Sequence, residues 1–364
     1  MRQTMTPESL QLLLHMHPEA SMAEVKTREI LMNYIREESD FTVEDRGKWF
    51  YAVKRAAQPE MPPIAFRADM DGVCIDGQTP GHYCGHDGHS SILAGLAREL
   101  SGRELRRDVY LLFQPGEETG EGALFCRELL AEKQISEIYG LHNIPGYPLG
   151  QVLLRHGTFA CASVGLSLHF TGKTSHAAYP EQGSNPALPM AALLLQLSEA
   201  AEELRRPGEI LMLTVVGMKL GSEKYGVSAG EGSLYLTLRG EREERFQTLL
   251  QRCRSLAENC AREHGLKLDI AEHERFPATE NHEDNVFSVR AAAAALNMDV
   301  RELPEPMRWS EDFGYYLQDC AGAFFGLGAG EDTPSLHTAG YEFPDALLEK
   351  GIALFAALAD PEGR

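Results

Sequence analysis

Apolar residues recur along the chain in two patterns, one typical of strands and one typical of helices. Short continuous apolar runs, such as residues 109–113, predict buried strands. Longer stretches with apolar residues at helical spacing, such as 186–204, predict helices. Outside the middle of the chain the two alternate, which predicts a mostly parallel sheet covered by helices. The strands expected there are 49–53, 64–67, 109–113, 137–141 and 324–327, and the main helices are 7–15, 23–38, 89–100, 286–296 and 346–359.

The middle of the chain follows a different order. Between residues 165 and 272 the patterns predict strand, helix, two strands, helix and strand, which is the β-α-β-β-α-β order of a ferredoxin-like domain. Strand–helix alternation then resumes. We therefore predict a two-domain α/β protein, in which residues 163–278 are inserted into a larger domain made of residues 1–162 and 279–364.

Composition narrows the class of protein. The chain has 364 residues, with 34 Lys and Arg against 54 Asp and Glu, so its net charge of −20 argues against nucleic acid as a partner. No window approaches the ~20 apolar residues of a membrane span, and the N-terminal apolar patch at 10–14 is too short and polar for a signal sequence. Seven scattered cysteines do not predict a disulfide framework, which favours a cytoplasmic protein.

The densest polar cluster is Gly81-His82-Tyr83-Cys84-Gly85-His86-Asp87-Gly88-His89, between an expected strand and an expected helix. The carboxyl ends of strands are where open α/β folds bind ligands. Cys84 and His86, two residues apart, are both good ligands for Zn²⁺ or a similar ion. The alternative is a polar turn in which Asp87 caps the helix.

A second cluster, from Gln114 to Gly122, follows the strand 109–113 and contains the adjacent carboxylates Glu117 and Glu118. One of the two can bind a metal while its neighbour holds a water molecule as a general base. The alternative is a solvated acidic turn.

His142 and His337 complete the set of candidates, although each alone is a weak signal. The positions of the clusters strengthen the case for a common site, because each cluster lies just after an expected strand or in a loop beside one. Together, Cys84, His86, Glu118, His142 and His337 form a candidate ligand set for two metals. A further polar stretch, Ser310-Glu311-Asp312, is interpreted as a helix N-cap followed by acidic residues in the first turn.

Seven short motifs occur in the order typical of one family. They are Arg67-Ala68-Asp69-Met70-Asp71, Cys84-Gly85-His86-Asp87-Gly88-His89, Gln114-Pro115-Gly116-Glu117-Glu118, Gly140-Leu141-His142, Gly172-Lys173-Thr174-Ser175-His176-Ala177-Ala178, Ser310-Glu311-Asp312-Phe313 and Leu336-His337. On these motifs the chain resembles the amidohydrolase branch of the M20 metallopeptidases over nearly its whole length. That branch includes aminoacylase-like, hippurate-hydrolase-like and auxin-conjugate-hydrolase-like enzymes.

The resemblance implies specific roles for these residues. Two divalent metal ions (Zn, Mn, Co or Ni) would be bound by the five candidate ligands. Glu117 would act as the general base and acid, and His176 of the inserted domain would stabilise the oxyanion. Asp69 would be a carboxylate that supports the ligands. The candidate ligands are Cys84, His86, Glu118, His142 and His337.

The reaction expected from this resemblance is hydrolysis of the N-acyl amide bond of an N-acyl amino acid or a similar conjugate by a metal-activated water. The alternatives are a dipeptidase or carboxypeptidase of the same fold, or a non-catalytic binding protein. The pair Cys84 and His86 favours the N-acyl branch, and Glu117 argues against a mere binder. The inserted domain is expected to act as a lid and to form a homodimer.

The chain departs from the usual pattern of that branch in two places. The loop from Asp71 to Cys84 is shorter than usual by about ten residues. An asparagine that relatives carry in the inserted domain has no counterpart here, where the stretch reads Tyr225-Gly226-Val227-Ser228-Ala229-Gly230. Both departures predict an altered substrate pocket.

Overall fold

The apolar runs form the centre of an eight-stranded sheet in the computed structural model, which describes residues 4–75, 77 and 79–361. The strands of the chain are β1 (Thr42–Asp45), β2 (Phe50–Lys54), β3 (Ile64–Asp69), β4 (Val109–Gln114), β5 (Glu137–Ile144), β6 (Val152–Leu154), β7 (Gly157–Ala160), β8 (Ala162–Thr171), β9 (Leu211–Leu220), β10 (Glu231–Gly240), β11 (Lys267–Phe276), β12 (Thr279–Asn281), β13 (Val300–Glu302) and β14 (Ala321–Gly328).

The helices agree closely with the helical periodicity, and two of them, α1 and α10, have the predicted bounds. They are α1 (Pro7–His15), α2 (Val25–Glu38), α3 (His86–Glu99), α4 (Gly122–Cys126), α5 (Glu128–Glu132), α6 (Ala187–Leu204), α7 (Glu243–Glu263), α8 (Glu283–Ala295), α9 (Gly314–Leu317) and α10 (Ala346–Ala359).

Backbone contacts divide the chain into two units. Unit 1 comprises Met1–Phe159, Thr279–Pro306 and Glu311–Arg364, and unit 2 comprises Ala160–Ala278 and Met307–Ser310. Residues 163–278 as the extent of the inserted domain stay a prediction.

In unit 1 the large sheet has the order β1-β2-β4-β3-β5-β14-β6-β13. Its four central strands, β4, β3, β5 and β14, are mutually parallel, and every residue of β3 and β4 is buried. Strands buried on both faces read as continuous apolar runs, which is why the sequence revealed them. The predicted α/β class with a mostly parallel centre is thus confirmed.

In unit 2 the strands lie in the order β11-β8-β10-β9, with each neighbouring pair antiparallel. Along the chain the elements β8, α6, β9, β10, α7 and β11 confirm the predicted β-α-β-β-α-β order. Alternate residues of β8 and β10 pack with α6 and α7 in one hydrophobic core. This leaves β9 and β11 as the edge strands of the sheet.

Two general features bear on the expectations from composition. None of the helices in the described part of the chain is long and apolar enough to cross a membrane. All seven cysteines are free thiols, and only Cys74 is exposed.

Candidate metal centre

The candidate ligands converge because they lie at or beyond the carboxyl ends of parallel strands of unit 1. Glu118 lies just beyond β4, His142 lies near the end of β5, and His337 lies in the loop after β14. Cys84 and His86 stand where the loop after β3 enters α3. The carboxyl ends of parallel strands meet at one edge of a sheet, so residues from four distant parts of the sequence are brought together.

Cys84 is at the middle of the five side chains. Its Sγ lies 3.4 Å from Nε2 of His142 and 3.3 Å from Nε2 of His337. Oε1 of Glu118 lies 3.3 Å from the same nitrogen of His337 and 3.7 Å from Nε2 of His86. Two groups of possible ligands, each with its ligand atoms within 4.8 Å of one another, share Cys84: Cys84, His86 and His142, and Cys84, Glu118 and His337.

A left-handed glycine makes the approach of Cys84 and His86 possible. Gly85 has φ of 88° and immediately precedes α3. A Cβ at this position would lie 2.5 Å from Oδ1 of Asn143, closer than real Cβ atoms come to other atoms. Glycine is therefore required both by the backbone angle and by the space. This turn, and not a cap by Asp87, begins the helix.

The two histidines nearest the sheet are oriented through Nδ1. In His86 this nitrogen lies 2.9 Å from the backbone oxygen of Asp71 and 3.3 Å from its carboxylate, and in His142 it lies 2.7 Å from the backbone oxygen of Asn143. These contacts leave Nε2 of each ring directed toward Cys84 and Glu118. Such outer contacts are how proteins fix the tautomer of metal-binding histidines.

The atoms and charges of this cluster fit a bound cation. Nε2 of His86 and Oε1 of Glu118 are buried and have no hydrogen-bond partner among the described residues. Burial alone would lower the pKa of His86, but Asp69 and Asp71 outweigh it and raise that pKa to about 10. Burial, and then Glu118 and Glu117, raise the pKa of the Cys84 thiol well above its usual value. This cluster thus favours positive charge, which a bound metal ion would supply, and the thiol of Cys84 would then be deprotonated as a ligand.

Glu117 is buried beside the ligands, with Oε1 3.4 Å from the backbone nitrogen of Asp312. Burial, and then the neighbouring Glu311 and Glu118, raise the pKa of Glu117 well above the usual range. A carboxyl group with a raised pKa is suited to accept and return a proton near neutral pH.

Arg67 lies beneath these carboxylates and is itself fully buried. Its guanidinium contacts Asp69 at 2.8 Å and both Glu311 and Asp312 at 2.9 Å. The interpretation of residues 310–312 as a helix cap with first-turn acids is therefore wrong, because α9 begins only at Gly314 and the two acids are buried. Their partner is more than 240 residues away, so no local pattern could indicate it.

Asp69, which was expected to support the ligands, contacts two histidines of α3. Its Oδ1 lies 2.7 Å from Nδ1 of His89, and its Oδ2 lies 3.8 Å from Nε2 of His86. Asp71 is the carboxylate at Nδ1 of His86. Sequence reasoning did not single out Asp71, His89 or Asn143, although the spacing of His89, one helical turn after His86, was an available signal.

His176 lies in unit 2, on the segment between β8 and α6, and its side chain is exposed. Its Nδ1 accepts a hydrogen bond from the backbone nitrogen of Ala178 at 3.1 Å. The segment is held by backbone bonds to the stretch that lacks the expected asparagine: Ala177 donates to Gly226, and Ser228 donates to Ser175. The other departure, the loop before Cys84, includes Asp76 and Gln78, which lie outside the described residues.

Comparisons with known proteins agree with this geometry. The chain is 30% identical to an N-acetyldiaminopimelate deacetylase of Exiguobacterium sibiricum over 89% of this chain and 90% of that one. It is also 30% identical to an N-acetyl-L-cysteine deacetylase of Bacillus subtilis over 88% of this chain and 80% of that one. The crystal structure of the Bacillus subtilis YXEP protein, a dinuclear metal binding peptidase from the M20 family, superimposes with a TM-score of 0.81 at 24% identity, covering 97% of this chain and 96% of that one.

The family profile described as Peptidase family M20/M25/M40 matches residues 65–360, which include every candidate ligand. The resemblance seen in the sequence motifs is thereby confirmed, and the predicted class of enzyme, a hydrolase of amide bonds, with it. The chain belongs to peptidase family M20/M25/M40.

Proposed function

We propose that this protein is a metal-dependent amidohydrolase that cleaves the N-acyl bond of N-acyl amino acids or similar conjugates. The observation that carries the proposal is the convergence of five ligand-type side chains beside the buried Glu117, with two of their buried atoms lacking a hydrogen-bond partner among the described residues. The names of two relatives support the same substrate class, because both are deacetylases of N-acetylated amino acids.

The two ligand groups indicate which residues would hold metal ions. Cys84, His86 and His142 would hold one divalent ion, and Cys84, Glu118 and His337 would hold a second. When bound, such ions lower the pKa of water and polarise a carbonyl oxygen. A thiolate shared by both groups favours Zn²⁺ over Mn²⁺, Co²⁺ or Ni²⁺.

Glu117 would move the proton. Its carboxylate takes a proton from the attacking water, whose oxygen forms a bond with the acyl carbon. The carbon–nitrogen bond then breaks, and Glu117 returns the proton to the leaving nitrogen. The products are a carboxylic acid and an amino acid. The buried position of Glu117 excludes bulk water, and the raised pKa keeps the returned proton available.

His176 would donate a hydrogen bond to the oxygen of the acyl group as negative charge develops there. Because Nδ1 of His176 accepts from Ala178, the imidazole has its Nε2 available as the donor. We propose that unit 2 acts as the lid that brings this group to the substrate. His176 and Asp69 keep the roles expected from the sequence, as proposals.

A homodimer through unit 2 is the proposed assembly. Strand β9 is an edge strand of its sheet, and it exposes Val215, Val216, Met218 and Leu220. An exposed apolar edge strand is a template for pairing with a second copy. The proposed location is the cytoplasm, where the free thiols of all seven cysteines would be stable.

A substrate and metal panel tests the proposed function. The purified protein is stripped with a chelator and reloaded with Zn²⁺, Mn²⁺, Co²⁺ or Ni²⁺. It is then assayed on N-acetyl, N-benzoyl and N-indoleacetyl amino acids, N-acetyldiaminopimelate, N-acetylcysteine and dipeptides. We expect metal-dependent hydrolysis of N-acyl amino acids. Faster hydrolysis of dipeptides would support the dipeptidase alternative, and activity that survives metal removal would contradict the proposal.

A further inference from the structure

The segment Glu19–Glu24, which joins α1 to α2, precedes the residues matched by the family profile, yet it contacts the candidate metal centre. Its backbone pairs with the loop after β3, where the nitrogen of Gly72 donates to the oxygen of Glu19 at 2.7 Å. The hydroxyl of Ser21 donates to Oδ2 of Asp71 at 2.6 Å. The segment therefore holds the residue that orients His86.

The same segment also contacts the turn that carries Glu117 and Glu118. The backbone nitrogen of Gly116 donates to Oε1 of Glu24 at 2.7 Å, and that oxygen also accepts from the nitrogen of Met22 at 2.9 Å. Gly116 has φ of 59°, and a Cβ there would lie 2.5 Å from Sδ of Met22. Glu24 and Met22 thus fix the backbone immediately before the two glutamates.

The turn is held on its other side through Asp71. Oδ2 of Asp71, which accepts from Ser21, also accepts from the backbone nitrogen of Glu118 at 3.1 Å. Two carboxylates, Glu24 and Asp71, therefore accept hydrogen bonds from the backbone amides on either side of Glu117. The turn 116–118 is thus held at both of its ends.

The identity of Glu24 is explained by the amides that it accepts. The residue is only 4% exposed, and its hydrogen bonds among the described residues are to backbone amides, with no cationic side chain. Burying a carboxylate without a cation is unfavourable. An apolar residue of similar size would avoid that cost, but it would leave the amides of Met22 and Gly116 without this acceptor.

We propose that Glu24 and Ser21 are positioning residues, which hold the turn 116–118 in the arrangement that binds metal and directs the carboxylate of Glu117. The expected effect on metal binding is argued from the contacts of Glu24 and Ser21 alone. The expected effect on turnover rests on the proposed function.

The test compares Glu24→Ala, Glu24→Gln and Ser21→Ala with the wild-type chain, using Glu29→Ala as a matched control on the exposed side of α2. Three quantities are measured: the affinity of the metal-free protein for Zn²⁺ by chelator competition, hydrogen exchange of the amides at 116–118, and kcat and KM of the loaded enzyme. Thermal unfolding of each variant is recorded alongside.

For Glu24→Ala we expect Zn²⁺ affinity to fall by about 10- to 100-fold, as for other residues that orient ligands. We also expect faster exchange at residues 116 and 118, and a lower kcat with KM unchanged. Glu24→Gln should restore these values, because its amide oxygen still accepts the two backbone hydrogens. Ser21→Ala should show the same pattern at smaller amplitude, and Glu29→Ala should match the wild type.

A Glu24→Ala protein with a lower unfolding temperature but wild-type Zn²⁺ affinity and kcat would overturn the proposal, as would a Gln variant as impaired as the Ala variant. If Glu24→Ala does not fold, Ser21→Ala decides, and wild-type affinity and exchange in that variant contradict the inference. If the wild type hydrolyses none of the panel substrates, the proposed function fails, while affinity and exchange still test the positioning.

Discussion

The candidate metal centre of unit 1 and the His176 segment of unit 2 hold their histidines in different ways. His86 and His142 are buried, and each ring is fixed through Nδ1 by a backbone oxygen of the sheet edge. His176 is exposed, and Nδ1 of its ring accepts a hydrogen bond from an amide two residues along the same segment. The rings of His86 and His142 are fixed by buried contacts at the large sheet, whereas the His176 ring is exposed on a segment that is joined by backbone bonds to residues 226–228 of unit 2.

This difference indicates which function each of the two sites can serve, metal binding at the first and hydrogen bonding to a substrate at the second. A cation site gains affinity when outer contacts hold its ligands in place, as the contacts at Nδ1 do for His86 and His142. A hydrogen-bond donor to a substrate is needed only when the substrate is present, so an exposed side chain suffices. We therefore expect metal affinity to depend on the first site alone, and turnover to depend on both.

The largest expected effect separates chemistry from binding inside the metal centre. Glu117→Gln should lower kcat by about 10²- to 10⁴-fold, because the proton acceptor is lost while its shape is kept. Zn²⁺ affinity should stay within a few-fold of the wild type. Steady-state kinetics and chelator competition measure the two, with the exposed Glu121→Gln as the control. A Glu117→Gln enzyme with full turnover and bound metal would exclude Glu117 as the base.

The next prediction concerns the support beneath the metal centre. Arg67→Met should lower the free energy of unfolding by about 3–5 kcal/mol, because three buried carboxylates lose their cation. Arg127→Met removes a partly exposed ion pair with Asp319 and should cost about 0–1 kcal/mol. Urea unfolding of the metal-free proteins measures both. Equal losses would show that burial does not distinguish the two sites.

The third prediction addresses unit 2. His176→Ala should lower kcat by about 10²- to 10³-fold, as expected when one oxyanion donor is removed. It should leave the Zn²⁺ affinity and the unfolding temperature unchanged, because the side chain is exposed. His273→Ala, an exposed histidine of β11, is the control. Weaker metal binding in His176→Ala would contradict the division of labour between the two sites.

The smallest expected effect tests the contact at Nδ1 of His86. Asp71→Asn keeps an acceptor oxygen but removes a charge, so Zn²⁺ affinity should fall by about 10-fold. The exposed Asp284→Asn serves as the control. Isothermal titration of the metal-free proteins would measure the change, and an unaltered affinity would assign the orientation of His86 to the backbone oxygen of Asp71 alone.

The sequence predicts most of the central fold because buried strands and long helices carry strong periodic signals. The apolar run that became β4 is an example, as is the helix α10. The short strands β1, β6 and β13 were not predicted, since three or four residues hold too little periodicity. Their existence depends on neighbouring strands that a local pattern does not contain.

In the candidate site, too, local sequence patterns revealed some residues and missed others. The five ligand-type residues could be found because each lies just after an expected strand or in a loop beside one, and each has a side chain that commonly binds metal ions. Glu311 and Asp312 were misinterpreted because acids before a helix look alike whether they face solvent or a buried arginine. The contacts of Glu24 with the turn after β4 were also missed, because that pairing spans 92 residues. Ion pairs and hydrogen bonds between residues far apart in the sequence produce no pattern within either segment.

The place of β14 in the large sheet has a consequence for synthesis of the protein. This strand lies between β5 and β6 in the sheet, yet it is synthesised after the whole of unit 2, and His337 follows it. A nascent chain can therefore close the small antiparallel sheet while the large sheet still has a gap at its centre. Translation completes the candidate metal-binding group of Cys84, Glu118 and His337 last, so a chain that ends before His337 would retain only one of the two candidate groups that share Cys84.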